Sequence, residues 1–517
     1  MTGIAVYYGL IVVFAEKFHS PSVCGSAAFV GLTLALILLG NSGRINIRKG
    51  AMQGLVLIIS LVAVLYNSNL YLLQTSDKTG ETLVEQYTRY NSDDYLGDTS
   101  LRYLNQIPGY DENDGFFRSV NMKTKLSTRC SSLVYGYKDN ATFSSTLTGS
   151  IVDYNRMMGN CDWTMVSLFD YNSRTIMNEL AAVRYLGVSS KNCRKMVPYG
   201  YKKVFKKKVG EKTYPIYENQ YALPIGYSYP AITPASSVES FNAAQKQEAT
   251  MLTAIVDDHD LTADSNLTRA GDLPLTVKKL EYTRVDYDGI EIKDGVLNIL
   301  KPNASATFYF DTPRGCEVYM SYRGGIYETN DGKEHVKSMV LNYGDQTYSM
   351  AFRSDTYNTG QDEYLMNLGY YDKEQASFTI SFGKEGILRC DGIDVYAQPL
   401  ASYGDRVAVL KENVLEDVKV SNNTVEGRVD FPADKMLVIA LPYQSGWTAW
   451  IDGKKVDIQK VNYQYMGLNV QAGQHRIRLH YQIPGLKIAF TIMGFGILLF
   501  AAIIIYNRFR GKREFKH

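Results

Sequence analysis

The sequence predicts a membrane protein whose α-helical spans hold a large extracytoplasmic region, part α/β layer and part β-sandwich. Three observations predict it. Long apolar runs stand at both ends of the chain. The two basic segments beside those runs, Asn41 to Gly50 and the C-terminal tail, fall on one side of a self-consistent topology. Between the runs, from about residue 257 onward, the hydrophobic pattern settles to a period of two.

The clearest element is the run from Pro484 to Tyr506. About 20 apolar residues suffice to cross a hydrocarbon core of about 30 Å as a helix. Tyr506 suits the interface, and Arg508, Arg510, Lys512, Arg513 and Lys516 form a tail that stays cytoplasmic. The competing reading, a buried core helix, is opposed by the length and the basic flank. At the other end, Met1 to Phe14 opens without a basic segment, which argues against a signal peptide. It is short before Glu16-Lys17, so either it tilts and snorkels its charges or the chain begins partway through a longer protein. Val23 to Gly40 reads as a second span. Asn41 to Gly50 carries Arg44, Arg48 and Lys49 and no acid, hence lies inside, and Ala51 to Leu73 reads as a third span. The expected layout is three spans over 1–75, an extracytoplasmic region, a fourth span over 483–507 and a cytoplasmic tail over 508–517. Both termini are then cytoplasmic and the lipid bilayer of the plasma membrane is the first partner.

Composition narrows function. A net charge of +2 over 517 residues gives no global field for nucleic acid, so no nucleic-acid partner is expected. Tyr is the outlier, 40 residues against 20 Phe and 3 Trp. Its flat face and hydroxyl suit sugar contact, while the plainer explanation is that Tyr populates strands. Six cysteines form no CxxC pair, which removes zinc and thioredoxin-type readings. A disulfide such as Cys130–Cys161 stays open, because spacing alone assigns none. No Walker A, Rossmann, HExxH or GxSxG pattern occurs in a fitting context, so neither a cofactor nor a metal is expected.

The outer region divides into three expected parts. Residues 76–256 are mixed α/β. Asp98 or Thr99 caps a short helix through Asn105, Phe116 to Val120 reads as a strand, Ser173 caps a helix, and Ser236 with Glu239 matches a capping box opening another. Residues 257–400 read as a β-sandwich or jelly roll. Val285/Tyr287 and Ile290/Ile292 alternate, and Asp288-Gly289 and Asp294-Gly295 are turn dipeptides. Residues 401–482 form a smaller β module. In it Trp447 to Ile451, Asp452-Gly453 and Lys454 to Ile458 spell a hairpin, and His475 to Tyr481 is a last alternating strand.

Several stretches resemble the bacterial YfhO family of multi-pass membrane proteins. They are Val197-Pro198-Tyr199-Gly200-Tyr201, Ile216-Tyr217-Glu218-Asn219, Ala222 to Tyr227, Leu441 to Trp447, Ile451-Asp452-Gly453-Lys454, Tyr465-Met466-Gly467-Leu468 and Gly473-Gln474-His475. Their order before a last helix matches as well. The resemblance implies a GT-C-type membrane glycosyltransferase. Such an enzyme takes a sugar from a polyprenyl-phosphate donor at the outer face and decorates cell-wall polymers of the teichoic (lipoteichoic acid) type. It also implies a catalytic acid in an early outer loop. Here that loop is only Glu16 to Ser22, no catalytic residue maps onto it, and the chain reads as the C-terminal part of such a protein, partnered by a missing N-terminal membrane half.

Among candidate residues, Tyr443, Trp447 and Trp450 form an expected substrate-binding set, since aromatic faces pack on pyranose C–H groups. Trp447 and Trp450 differ by three and therefore point to opposite faces of a strand, and core packing competes with the platform role for both. Lys202, Lys203, Lys206, Lys207 and Lys208 make a basic cluster that meets either an anionic polymer or only solvent along a protected edge. Asp111, Glu112 and Asp114 read as a solvated turn rather than a metal site, and Glu16 with His19 as interfacial side chains. Two functions compete: the outer part of a polyprenyl-sugar glycosyltransferase, and a non-catalytic, membrane-anchored glycan-binding module.

Overall fold

The computed structural model describes residues 29, 31–33, 35, 49–73, 99–111, 115–122, 131–144, 146–188, 197–261, 267–329, 339–343, 346–349, 360–421 and 423–514. The chain forms two units, 1–97 and 98–517. In the first, a helix runs Lys49–Leu73. Its continuously apolar part, Gly54–Tyr66, is shorter than the expected Ala51 to Leu73 span. Gln53 interrupts it at one end and Asn67 and Asn69 at the other. The expected span Met1 to Phe14 lies outside the described residues. So does most of Val23 to Gly40, where Phe29 is helical and its ring meets Tyr66 at 5.6 Å.

In the second unit, a helix Leu486–Glu514 follows the last strand, and its apolar part Leu486–Tyr506 has no buried face. Ile488, Phe495 and Leu498 are each about two-thirds exposed. A fully apolar helix with no protein against it is the form a bilayer span takes. Among the described residues it is the one helix long and apolar enough to cross a membrane.

The body is built on a seven-stranded sheet. Its order is Thr268–Arg269, Ala231–Pro234, Ala254–Val256, Gln459–Val461, Tyr465–Val470, Lys435–Pro442 and Gly226–Tyr229. Ala231–Pro234 and Ala254–Val256 are parallel and joined through the helix Ala243–Leu252, a right-sized β-α-β unit. Lys435–Pro442 lies between Tyr465–Val470 and Gly226–Tyr229, antiparallel to both. It is buried from Lys435 to Ala440, and after the lysine the sequence Met436 to Leu441 is an unbroken apolar run. Segments read separately from sequence, 76–256 and 401–482, therefore share one sheet. They also share one core, with Leu186, Tyr227, Ile255, Leu437, Leu468 and Leu479 in a single cluster. Local period cannot show a pairing whose two strands are so far apart in the chain.

Between them, Lys278 to Pro399 forms a unit of three antiparallel sheets around its own core, with Phe308, Val318, Met366, Phe378, Ile380 and Leu388 inside. The Asp294-Gly295 turn joins a true hairpin, Ile290–Lys293 with Val296–Ile299. Asp288-Gly289 does not. The strand before it pairs with Ala304–Asp311, and the chain changes sheets at Gly289, whose φ is +67°. Buried polar groups stitch this unit to the body. Glu317 accepts from Thr175 N and Oγ1, Glu363 accepts from Ala243 N at 2.9 Å, and Gln247 Nε2 donates to Tyr319 OH at 2.8 Å. Burial raises the Glu317 pKa against these donors.

Local expectations fared unevenly. Thr99 does cap a short 3-10 helix, Ser100–Gln106. Ser236 does not open the long helix, because its hydroxyl bonds Asp258 at 2.7 Å. The capping box sits at Asn242 and Gln245 instead. Ser173 lies at φ +49° two residues before its helix, Thr175–Leu180, and donates to Asp170. Much of the tyrosine enrichment is core: Tyr154, Tyr171, Tyr227, Tyr229 and Tyr465 are each no more than 1% exposed. Cys161, Cys316 and Cys390 are free thiols, and the other three cysteines lie outside the described residues.

Candidate functional site

Where the body meets the C-terminal helix, the chain opens a cleft of about 600 Å³ lined by Thr148, Asp153, Tyr443, Gln444, Lys460, Tyr481 and Pro484 among others. Sequence explains its shape. Strand Lys435–Pro442 ends on a proline, the register slips between Ile439 and Pro442, and the chain leaves the sheet. Tyr443 N then bonds Gln464 O at 2.7 Å. Gly446 sits at φ +106°, and a Cβ there would lie 2.5 Å from Gln482 O. That close approach lets Gln482 N bond Gly446 O at 2.9 Å, tying the Tyr443 to Gly446 loop to the segment that enters the helix at Leu486.

The walls are aromatic and the floor is polar. The Trp447 ring lies 5.3 Å from Tyr481, tilted 53°. Thr148 Oγ1 donates to Gln444 Oε1 at 3.2 Å. Lys460 Nζ stands 3.3 Å from Asp153 and 2.9 Å from Asp257. Burial works against its charge, but the two carboxylates more than offset that and raise its pKa, so it is cationic at any physiological pH. Rings, hydroxyl, amide and a fixed ammonium are the groups that hold a polyhydroxylated ligand.

Asp257, His259 and Asp260 bring ligand atoms together beside this floor. Lys460 already supplies the cation there, with its Nζ on Asp257 and its backbone N donating to Asp260 at 3.1 Å.

Trp450 lies elsewhere. In the strand Trp447–Ile451, Ala449 is fully buried, and Trp447 and Ile451 pack with it on the core. Trp450 therefore faces outward, paired across the sheet with Arg478, whose guanidinium carbon is 6.0 Å from the ring. A separate cleft of about 450 Å³ there is lined by Trp450, Asp452, Gly453, Arg476 and Arg478. Glu426 holds Arg478 at 3.1 Å, and Asp452 holds His475 at 2.7 Å. A backbone bond from Arg476, then the one from His475, lower the Asp452 pKa.

Of the expected set, the structure thus places Tyr443 in the lining of the root cleft, Trp447 behind that lining against Tyr481, and Trp450 in the lining of another cleft. Sequence reasoning missed Tyr481, Lys460, Asp153, Thr148 and Gln444. Tyr481 carried a signal, as the last residue of an alternating strand entering an apolar run. Asp153 and Lys460 carried none, because they meet across 307 residues. Glu112, Asp114, Glu16 and His19 lie outside the described residues.

The family model described as bacterial membrane protein YfhO matches residues 1–493. A curated relative, the uncharacterized protein YfhO of Bacillus subtilis (strain 168), is 22% identical over 466 residues, 87% of this chain and 50% of the relative. The chain thus spans about half the length of the curated relative it matches. Among solved structures, a mycobacterial arabinofuranosyltransferase, AftD, aligns over 79% of this chain and 42% of its own, at 12% identity and a TM-score of 0.21. A low affinity xylan binding module from Roseburia intestinalis aligns over 24% of this chain and 93% of its own, at 15% identity and a TM-score of 0.15.

Proposed function

Because this chain belongs to the YfhO family of bacterial membrane proteins, we propose that it is the glycan-handling outer part of a polyprenyl-phosphate-sugar glycosyltransferase. The cleft at the root of the C-terminal helix receives the sugar of the lipid-linked donor. One observation carries the reading: the aromatic cleft ends on Pro484, two residues before the apolar helix begins at Leu486. A helix that enters the bilayer there holds the cleft at headgroup level, where a sugar on a membrane-anchored phosphate is found. In this reading the body stands outside the plasma membrane, and Tyr443 and Tyr481 offer faces to the pyranose ring. Lys460 and Gln444 meet its hydroxyls. The catalytic carboxylate comes from a membrane half outside these residues, and the acceptor is a cell-wall polymer of teichoic type.

Photo-crosslinking tests the proposal. The full chain in phosphatidylcholine nanodiscs is exposed to a polyprenyl-phosphate hexose bearing a diazirine on the sugar. Crosslinks on Tyr443 to Ser445 and Tyr481, competed by unlabelled donor, are expected. Crosslinks confined to Trp450, or none in this cleft, would overturn it. A polymer-only ligand profile would instead favour a non-catalytic glycan-binding module.

A further inference from the structure

The basic cluster is not a random spray of charge. Strand Tyr201–Val209 is the edge of a four-stranded sheet ordered Arg118–Met122, Val183–Val188, Lys212–Asn219, Tyr201–Val209. Regular alternation would put Lys203 and Lys206 on opposite faces. The register slips between Lys203 and Phe205, a bulge at Val204. Val204 and Phe205 consequently both pack on the small core under the sheet, with Leu101, Tyr185 and Ile216. On that same side Lys207 reaches Gln106 at 3.5 Å, and the ring of its cross-strand partner Tyr214 meets Tyr103 edge-on at 5.5 Å. The bulge thereby brings Lys206 and Lys208 to the other face, which Lys203 already holds, opposite Pro215, Thr213 and Tyr217 respectively. All three are exposed, and none has an acidic partner among the described residues. The hairpin's Glu218 faces the core side and is held by Arg184 at 3.0 Å.

We propose that this lysine file docks a linear polyanion, a phosphodiester polymer with short polyol bridges. Positions two apart on a strand are separated by about 7 Å, a reach that a three-carbon bridge between phosphates can follow. A single file of charge along an edge matches a chain, whereas a lipid surface calls for charge spread over a plane. The outer N–H groups of an edge strand add donors for phosphate oxygens. The surface is distinct from the root cleft. It rests on the outward-facing, polymer-decorating reading only for the polymer's class.

The test uses the full chain in phosphatidylcholine nanodiscs and a synthetic glycerol phosphate oligomer, with no polyprenyl sugar present, so its outcome is independent of the donor reading. Replacing Lys203, Lys206 and Lys208 together by Gln should weaken binding at least about tenfold and flatten the slope of log K against log salt by about 2. Replacing Lys202 and Lys207, on the opposite face, should change affinity less than about twofold. Equal loss per lysine on both faces would overturn the proposal, as would capture of phosphatidylglycerol vesicles but not the oligomer. A triple variant that self-associates yet binds the oligomer normally would show that the lysines only guard the edge, and the proposal would fall.

Discussion

Trp447 and Trp450 lie on one five-residue strand but belong to different surroundings, Trp447 behind the Tyr481 wall of the root cleft and Trp450 in the lining of the outer one. At the root of the C-terminal helix, Trp447 leans on Tyr481 and the core, and a close glycine contact locks the loop to the helix entry. On the outer face, Trp450 rests on Arg478 at the surface, beside an open turn. The same residue type three positions along a strand in one case backs a built wall and in the other decorates a charged ladder. Side-chain identity proposes a sugar platform; backing by core and backbone decides which platform is rigid.

The largest way to separate the two is pH. Behind the root cleft, Tyr443 N bonds Gln464 O, the Gln464 side chain meets Tyr171, and Tyr171 N bonds Asp170 at 2.7 Å. Burial, and secondarily Asp162, push Asp170 up to about 7. The folded state thus binds its proton more tightly than the unfolded chain. The stability this confers is complete below about pH 4 and is lost as pH rises through about 7, a swing of at most about 4 kcal/mol. Thermal unfolding of the full chain in detergent should show the midpoint falling from pH 4 to 7 and levelling above. Asp170→Asn should reduce that slope without abolishing it, because burial also pushes Asp139 up to about 7 and raises Glu317, and it should lower stability throughout, because a buried acceptor is lost.

Backbone strain gives the next contrast. Gly446→Ala places a Cβ against Gln482 O and should destabilise by about 1–3 kcal/mol, with loss of ligand crosslinking at Tyr443. Gly453→Ala in the outer turn meets nothing within 4 Å, so only its φ of +79° is penalised, about 1 kcal/mol. Equal effects in urea titrations would erase the claimed difference in rigidity.

The smallest effect belongs to the outer cleft itself. A Trp450→Leu, Arg478→Met double-mutant cycle should return a coupling of about 0.5–1 kcal/mol, as for an exposed cation–π pair. A coupling well above that would mean that the outer face is as built as the root cleft.

Legibility from sequence followed contact range. The hairpin Trp447–Ile451 with Lys454–Val456, the Thr99 cap and the final strand and helix were all readable, since each is set by neighbours in the chain. The central sheet was not, because Gly226–Tyr229 finds its partner in Lys435–Pro442. The floor of the root cleft shares that fate through Asp153 and Lys460. The opposite faces of Trp447 and Trp450 followed from strand period alone. The phase of the lysines did not, because one inserted residue, Val204, shifts every side chain after it.

In the proposed function, the root cleft opens at the outer surface of the membrane. Cys316 is buried and cannot report this, but Ser445 is exposed beside the cleft. A Ser445→Cys variant should react with a membrane-impermeant maleimide in intact cells, above the background of the unsubstituted chain. Labelling only after permeabilisation would place the cleft inside and contradict the account.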